Sequence, residues 1–287
     1  MWLMKRAIFL ALLYSDIFDY PLTKKELEKW EINLTPSLSC EERGRVRCKN
    51  NYYYLSNREK IIQLRQKRSI ISSEKIILAE KTAQLLRRIP FIKMIAVTGA
   101  LAMKNSDEQD DIDLLIITQK NRVWLTRFLV TVILELLGQR RRPKESSCGN
   151  KICLNMYLDV SKLKIPKIEQ NLYSAHEVCQ IKPIYNKDKI YENFLISNSW
   201  VKRYLPKALS LSLRGRDIMV IGRGNLNKEG LLGFILYSLE FLAFKLQYLY
   251  MKLKITRETI EKNRILFHPR DTAKIVLGEF EKRVANK

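Results

Sequence analysis

The chain has 287 residues, of which 46% are hydrophobic, and this is enough apolar content for globular domains with sizeable cores. A net charge of +22 excludes a near-neutral surface and favours an anionic partner such as a nucleotide, RNA, DNA or a membrane surface. The five cysteines show no paired C-x-x-C spacing, so they predict reduced thiols in a cytoplasmic protein and argue against a zinc site.

The N-terminal region, 1–57, predicts three helices followed by a hairpin. An apolar helix over 4–14 precedes a second helix over about 23–31, and a third short helix begins at Thr35. The polar residues Lys49-Asn50-Asn51 separate two short strands. The first apolar run is short and lacks a small-x-small cleavage site, so we expect a core helix there and not a signal peptide.

This order of elements looks like a winged-helix domain. Two roles are open for it. Basic residues near the third helix and the hairpin favour nucleic-acid contact through phosphate neutralisation, and these are Arg43, Arg45, Arg47 and Lys49. Small domains of this kind also mediate protein contacts, and a charged hairpin is often simply solvated.

Residues 58–90 predict a basic helical connector, because aliphatic side chains from Ile61 to Leu86 recur at helical spacing. Ser72-Ser73 is a potential interruption, and Pro90 ends the helix. The next segment, Ile95 to Thr98, predicts a short strand that ends at Gly99.

An acidic pair begins the next predicted strand, Ile112 to Thr118, which is almost entirely aliphatic. Side chains two apart on a strand share a face, so Asp111 and Asp113 are expected to project together. Like charges this close favour a divalent cation between them, and we expect Mg²⁺ because it prefers carboxylate oxygens and also binds phosphates. The alternative is an acidic loop that caps a structural strand.

A glycine, at position 99, directly follows the first of these two predicted strands. Gly99 lets the backbone turn sharply and lets a bulky anion approach, so Thr98, Gly99 and Ala100 are the predicted phosphate-binding residues.

A glycine turn, a spacer and Asp-x-Asp within an apolar strand resemble the nucleotidyltransferase superfamily of the DNA polymerase beta type. Ala100 departs from this pattern, since the superfamily usually has Ser or Gly there. The resemblance implies an α/β (α+β) fold, with a small mixed-sheet core over 91–200 between the N-terminal domain and a basic helical region over 201–287. It also implies metal-dependent transfer of a nucleoside monophosphate from an NTP, with ATP as the expected donor, to a hydroxyl acceptor.

The superfamily places a third catalytic carboxylate on a later strand, which corresponds here to Ile152–Asp159. Strict alternation would send Ile152, Leu154, Met156 and Leu158 to one face and the remaining side chains to the other. Asp159 is then the predicted third catalytic residue beside Asp111 and Asp113, and Asn155 is the alternative.

The remaining segments are predicted to be mostly helical. A crossover helix is expected over 121–137, and a helix over 169–182 carries Tyr173, His176 and Glu177, whose histidine is interpreted as structural or as a base contact. Helices are also predicted over 230–254 and 260–287. The basic run 139–144 could meet a triphosphate or an RNA backbone, or could form a solvated turn.

The charge distribution bears on the partners. Net charge is +8 over 1–90, +2 over 91–160 and +12 over 161–287, so the flanks are predicted to attract RNA or DNA. The charged and amide residues at 240, 245 and 247 argue against an integral membrane span. A competing hypothesis is a regulatory protein that binds nucleotide without turnover and contacts nucleic acid through the winged helix.

Overall fold

The computed structural model describes residues 2–33, 46–142, 148–214, 231–252, 259–266 and 269–286. For some residues inside helices or strands, Asn155 among them, it describes the backbone only. These ranges form a mixed α/β protein with one six-stranded and one three-stranded sheet, which agrees with the predicted α+β class.

The α-helices are α1 Trp2–Asp16, α2 Lys24–Lys29, α3 Ile61–Leu86, α4 Gly99–Ala102, α5 Val123–Leu136, α6 Leu172–Gln180, α7 Ile190–Ser197, α8 Pro206–Leu213, α9 Leu231–Lys252 and α10 Pro269–Ala285. The strands are β1 Leu22–Thr23, β2 Val46–Lys49, β3 Tyr52–Leu55, β4 Ile92–Val97, β5 Ile112–Thr118, β6 Ile152–Asp159, β7 Lys182–Asn186, β8 Thr259–Glu261 and β9 Arg264–Leu266. Two 3-10 helices span Lys167–Glu169 and Ser199–Arg203.

The N-terminal elements combine α1 and α2 with a sheet in the order β1-β3-β2. Thr23 and Glu26 form a capping box at the start of α2. The predicted hairpin is confirmed, and both Asn50 and Asn51 adopt the positive φ that a tight hairpin turn requires. The predicted third helix at Thr35 lies outside the described residues, as do Arg43 and Arg45.

The connector is one continuous helix, α3, and Ser72-Ser73 does not interrupt it. Ser72 is buried, and its hydroxyl accepts a hydrogen bond from the Ser106 N–H at 3.1 Å. The serine that suggested a break therefore holds the helix against the segment that leads to β5.

The large sheet has the strand order β7-β4-β5-β6-β9-β8. β5 and β6 are parallel and are joined by α5, so the predicted crossover helix is confirmed. β4 is antiparallel to β5, so the end of β4 lies beside the beginning of β5. This pairing positions the candidate site described below.

Both faces of this sheet are covered. Leu115 and Ile117 of β5 point into a core formed with α1, α6, α7, α8 and α10. Ile112, Leu114 and Ile116 point into a second core formed with α3, α5 and α9. An aliphatic run without polar alternation suits a strand that is buried on both sides.

β6 does not alternate as the sequence predicts. Asp113 pairs with Cys153 but Leu115 pairs with Met156, so β6 has one more residue than β5 in this interval. Such a bulge reverses the facing of every residue beyond it. Ile152 and Tyr157 consequently belong to the α5 side, whereas Met156 and Leu158 belong to the opposite side.

The C-terminal region also differs from the prediction of helix throughout 260–287. Residues of β8 and β9 form a hairpin that extends the sheet, with Met156 paired to Leu266 and Leu158 to Arg264. The helical part is confined to α10. Of the helices in the described ranges, none has both the length and the hydropathy needed to cross a membrane.

Candidate functional site

Asp111 and Asp113 lie at the beginning of β5, next to the turn that follows β4. Val97 at the end of β4 pairs with Leu114, and the Thr98 N–H donates to the Asp113 carbonyl oxygen at 3.1 Å. The antiparallel register therefore brings the predicted phosphate-binding turn, Thr98 to Ala100, against the acidic pair.

Gly99 is where the turn approaches an acid most closely. Its φ of +60° is one that residues with a Cβ rarely adopt. A Cβ at this position would lie 3.2 Å from Asp113 Oδ2, which is tighter than ordinary van der Waals contact. Both the backbone conformation and the space beside the carboxylate thus depend on glycine.

Cys153 is the third potential ligand. It pairs with Asp113 across the parallel β5–β6 register and so faces the same side of the sheet. Ligand atoms of Asp111, Asp113 and Cys153 all lie within 4.8 Å of one another, a separation that one metal ion can bridge.

Arg141 supplies a positive charge to this cluster. Its Nη1 donates to Asp111 Oδ2 at 2.6 Å and lies 3.6 Å from Cys153 Sγ. Its neighbours in the basic run turn elsewhere, because Arg140 and Arg142 both pair with Glu135. Pro143 and Lys144 lie outside the described residues.

Burial makes the acidic groups of this cluster difficult to ionise. Burial, with the charge of Asp111 as a second cause, raises the pKa of Asp113 to about 7. Burial also raises the pKa of the Cys153 thiol, and both aspartates add to that effect. An anion is therefore costly here until positive charge balances it.

A cavity of about 810 Å³ opens on the Asp113 side of the sheet, within the size range of small-molecule sites. The sheet forms its floor and α1, α6 and α10 enclose it. Its lining is mainly apolar and aromatic, and includes Tyr14, Phe18, Trp30, Met103, Leu115, Met156, Leu158, Tyr173, Leu277, and also Thr98, Gly99 and Asp113.

Glu177 on α6 brings another carboxyl group to this cavity. Burial raises its pKa to about 7, and the charge of Asp113 contributes to the same shift. The Gln180 side-chain amide donates to it. The pKa of this carboxyl group is therefore close to neutral pH.

His176 lies beside Glu177 but has a packing role. Its ring stacks on Tyr14 at a centroid distance of 4.0 Å and on Trp30 at 4.9 Å. Burial lowers its pKa to about 3, so the ring is neutral at pH 7. Of the two interpretations from sequence, this geometry favours the structural one.

The prediction that Asp159 lies beside Asp111 and Asp113 is wrong. Asp159 pairs with Thr118 at the other end of β5, about 17 Å from Asp113 at the usual rise per residue. The β6 bulge also turns it to the opposite face. Asp159 is fully buried and accepts hydrogen bonds from the N–H groups of Asn121 at 2.9 Å and Ser161 at 2.8 Å.

The alternative third position, Asn155, lies within the bulge, and its side chain is outside the described residues. Cys153 was not predicted from the sequence. Arg141 belongs to the run 139–144, for which a triphosphate contact was one alternative, and Glu177 belongs to the helix for which a base or nucleotide contact was one alternative. Strand alternation before the bulge places Cys153 on the same face as Asp113, and this pattern could have identified Cys153. Arg141 and Glu177 come from a turn and a helix, whose placement depends on long-range packing.

Comparison of the chain with protein-family models, curated proteins and solved structures finds no match.

Proposed function

We propose that this chain is a metal-dependent nucleotidyltransferase, which transfers a nucleoside monophosphate from an NTP to a hydroxyl group of a small molecule and releases pyrophosphate. The observation that carries the proposal is the contact between the Gly99 turn and the Asp111–Asp113 pair. A turn without a Cβ, set against two carboxylates, leaves room for phosphate oxygens and for the cation that accompanies them.

The donor atoms fit a divalent cation. Asp111 and Asp113 offer the hard oxygen ligands that Mg²⁺ and Mn²⁺ take, and Cys153 adds a softer donor within reach. The Arg141 guanidinium already forms an ion pair with Asp111, so this carboxylate accepts a positive charge. A bound cation would supply charge neutralisation at the transferred phosphate.

Residues of the chain would support the phosphates, accept a proton and position the acceptor. The Thr98–Gly99–Ala100 backbone supports the phosphates. Glu177 lines the same cavity as Asp113, and its carboxyl group is suited to accept the proton of the attacking hydroxyl. The apolar cavity lining excludes water from that step and positions the acceptor.

The size and lining of the cavity favour a small acceptor with a largely apolar body over the end of a polymer. We expect the protein, incubated with cytoplasmic extract, Mg²⁺ or Mn²⁺ and an α-labelled NTP, to yield a labelled product of low molecular mass. ATP is the first NTP to test. Asp113→Asn should abolish labelling. Asp188→Asn removes an exposed carboxylate that pairs with Lys93, and should leave labelling unchanged.

Undiminished labelling by Asp113→Asn would refute the metal role of the pair. Labelled RNA or protein in place of a small molecule would refute the acceptor class alone.

A second candidate function, nucleotide binding without turnover, is favoured by Cys153, which faces the acidic pair from the strand that carries a carboxylate in the superfamily. Cys153→Asp separates the two candidates. A weak enzyme should gain Mg²⁺-dependent transfer, whereas a binding protein should bind NTP and transfer nothing in either form.

A further inference from the structure

Helix α9 has its apolar side chains on the outside. Six large ones are between 53% and 70% exposed, namely Phe234, Phe241, Leu242, Leu246, Leu249 and Tyr250. A helix that packs on a water-soluble core normally turns such side chains inward.

Two polar side chains, besides apolar ones, hold α9 on the protein. Glu240 is only 4% exposed, and its carboxylate accepts from the N–H groups of Trp124 and Leu125, both at 2.9 Å. Gln247 donates to the Trp124 carbonyl oxygen at 2.9 Å and accepts from Arg127 at 2.6 Å. These contacts fix which face of the helix points away from the protein.

The neighbouring helix α5 extends the same surface. Phe128, Val132 and Leu136 are 47%, 40% and 83% exposed. Apolar surface contributed by two adjacent helices exceeds the scattered single residues of an ordinary monomer surface and indicates an interaction site.

The exposed charges of α9 are positive. The exposed residues of α9 from 233 to 252 include Lys245 and Lys252 and no carboxylate. The Lys245 ammonium lies 5.3 Å from the Phe241 ring, and that of Lys262 lies 5.6 Å from the Tyr237 ring. Lysines and aromatic rings mixed at the border of an apolar face are typical of helices that lie in a membrane interface.

We propose that the exposed α9–α5 surface docks the protein on an anionic lipid bilayer. α9 lies in the plane of the interface, with its apolar side chains in the headgroup–acyl boundary and its lysines at the lipid headgroups. The net charge of +22 opposes pairing of two copies through this surface and favours a negatively charged one. This inference is independent of nucleotide transfer.

Co-sedimentation of the full chain with vesicles tests the proposal. We expect binding to phosphatidylcholine vesicles that contain phosphatidylglycerol, and much weaker binding to phosphatidylcholine alone. Phe241→Ser with Leu249→Ser should weaken binding at least about tenfold, as expected when two large interfacial side chains are lost. The matched control is Ile77→Ser with Ile275→Ser, which alters residues 54% and 70% exposed on α3 and α10.

The variant side chains are exposed, so thermal unfolding should show that both double variants remain folded. Lys245→Gln with Lys252→Gln should reduce binding to the anionic vesicles and diminish its salt dependence. Three results would each overturn the proposal: no vesicle binding by the wild type, equal losses in the two serine variants, or a dimer that Phe241→Ser with Leu249→Ser dissociates while vesicle binding is unaffected.

Discussion

Gly99 and Gly138 share a backbone conformation but differ in their surroundings, which makes them a matched pair. Their φ angles are +60° and +62°, and an added Cβ would meet Asp113 Oδ2 at Gly99 but nothing within 4 Å at Gly138. We expect Gly99→Ala and Gly138→Ala to cost a similar 1–2 kcal/mol, roughly, from the left-handed backbone alone.

Only Gly99→Ala should also weaken Mn²⁺ binding, because its methyl group crowds the carboxylate. Isothermal titration with Mn²⁺ and urea unfolding measure the two effects separately. Equal Mn²⁺ affinities in the two variants would show that the turn does not shape the site.

The buried ring of His176 predicts an acid-sensitive stability. Its pKa is about 3 in the folded protein against 6.5 as the ordinary value, so below pH 6.5 the unfolded chain binds a proton that the folded chain excludes. Stability from this residue is present above pH 6.5 and falls with pH down to about 3, by up to about 1.4 kcal/mol per pH unit.

His176→Phe keeps the stacking on Tyr14 and Trp30 but removes the titration. The difference in unfolding free energy between wild type and variant should therefore change with pH in this window. A difference that is constant from pH 7 to pH 4 would contradict the prediction.

At the residue scale, the sequence correctly predicts that Asp111 and Asp113 lie together and that the Gly99 turn lies close to them, because local spacing and strand alternation determine where they lie. The same alternation places Asp159 wrongly, since a single extra residue in β6 reverses the facing. A bulge of this kind depends on how two strands pair, and the residue types of Leu154 and Asn155 do not indicate it.

At the scale of elements, Glu240 is one of the residues that join α9 to α5. Its carboxylate caps the first turn of α5 through two N–H groups, where the helix dipole also favours a negative charge. We expect Glu240→Gln to cost about 1–2 kcal/mol of unfolding free energy, because one acceptor and the charge are lost.

Glu279→Gln on α10 is the control, since Glu279 is solvent-exposed and pairs with Arg283 one turn away. That change should leave the unfolding free energy almost unchanged. Hydrogen exchange should become faster at Trp124 and Leu125 in Glu240→Gln only, and unchanged exchange there would argue against the cap.

The positions of the helices follow from periodicity, and α3, α5, α6 and α9 begin and end within a few residues of their predicted bounds. The β8–β9 hairpin was not predicted. Its strands have three residues each and are stabilised by pairing with β6, which is distant in sequence. The face of α9 that meets the protein also could not be foreseen, since apolar side chains lie on both faces of the helix.

At the scale of the whole molecule, the excess of positive charge lies in the flanks and predicts salt-sensitive binding of polyanions. Affinity for single-stranded RNA should fall at least about tenfold between about 50 mM and about 200 mM salt. Fluorescence anisotropy with a labelled oligonucleotide measures this. Affinity that does not change with salt would contradict it.

Two double variants that change the net charge equally can locate the contact. Lys24→Glu with Lys25→Glu alters exposed residues of the N-terminal flank, and Lys104→Glu with Lys120→Glu alters exposed residues of the core. The flank variant should lose more affinity. Equal losses would indicate that net charge matters and its location does not.

The cavity is enclosed by α1 and α10, which are joined by an ion pair between Asp16 and Arg283, 267 positions apart. A ribosome releases α1 long before it makes α10, and nascent domains begin to fold as they emerge. The acidic pair and its glycine turn are complete by residue 113, whereas the enclosed cavity requires Leu277. A growing chain therefore has the proposed cation ligands well before it has the enclosed cavity, and it acquires that cavity only once α10 has been synthesised.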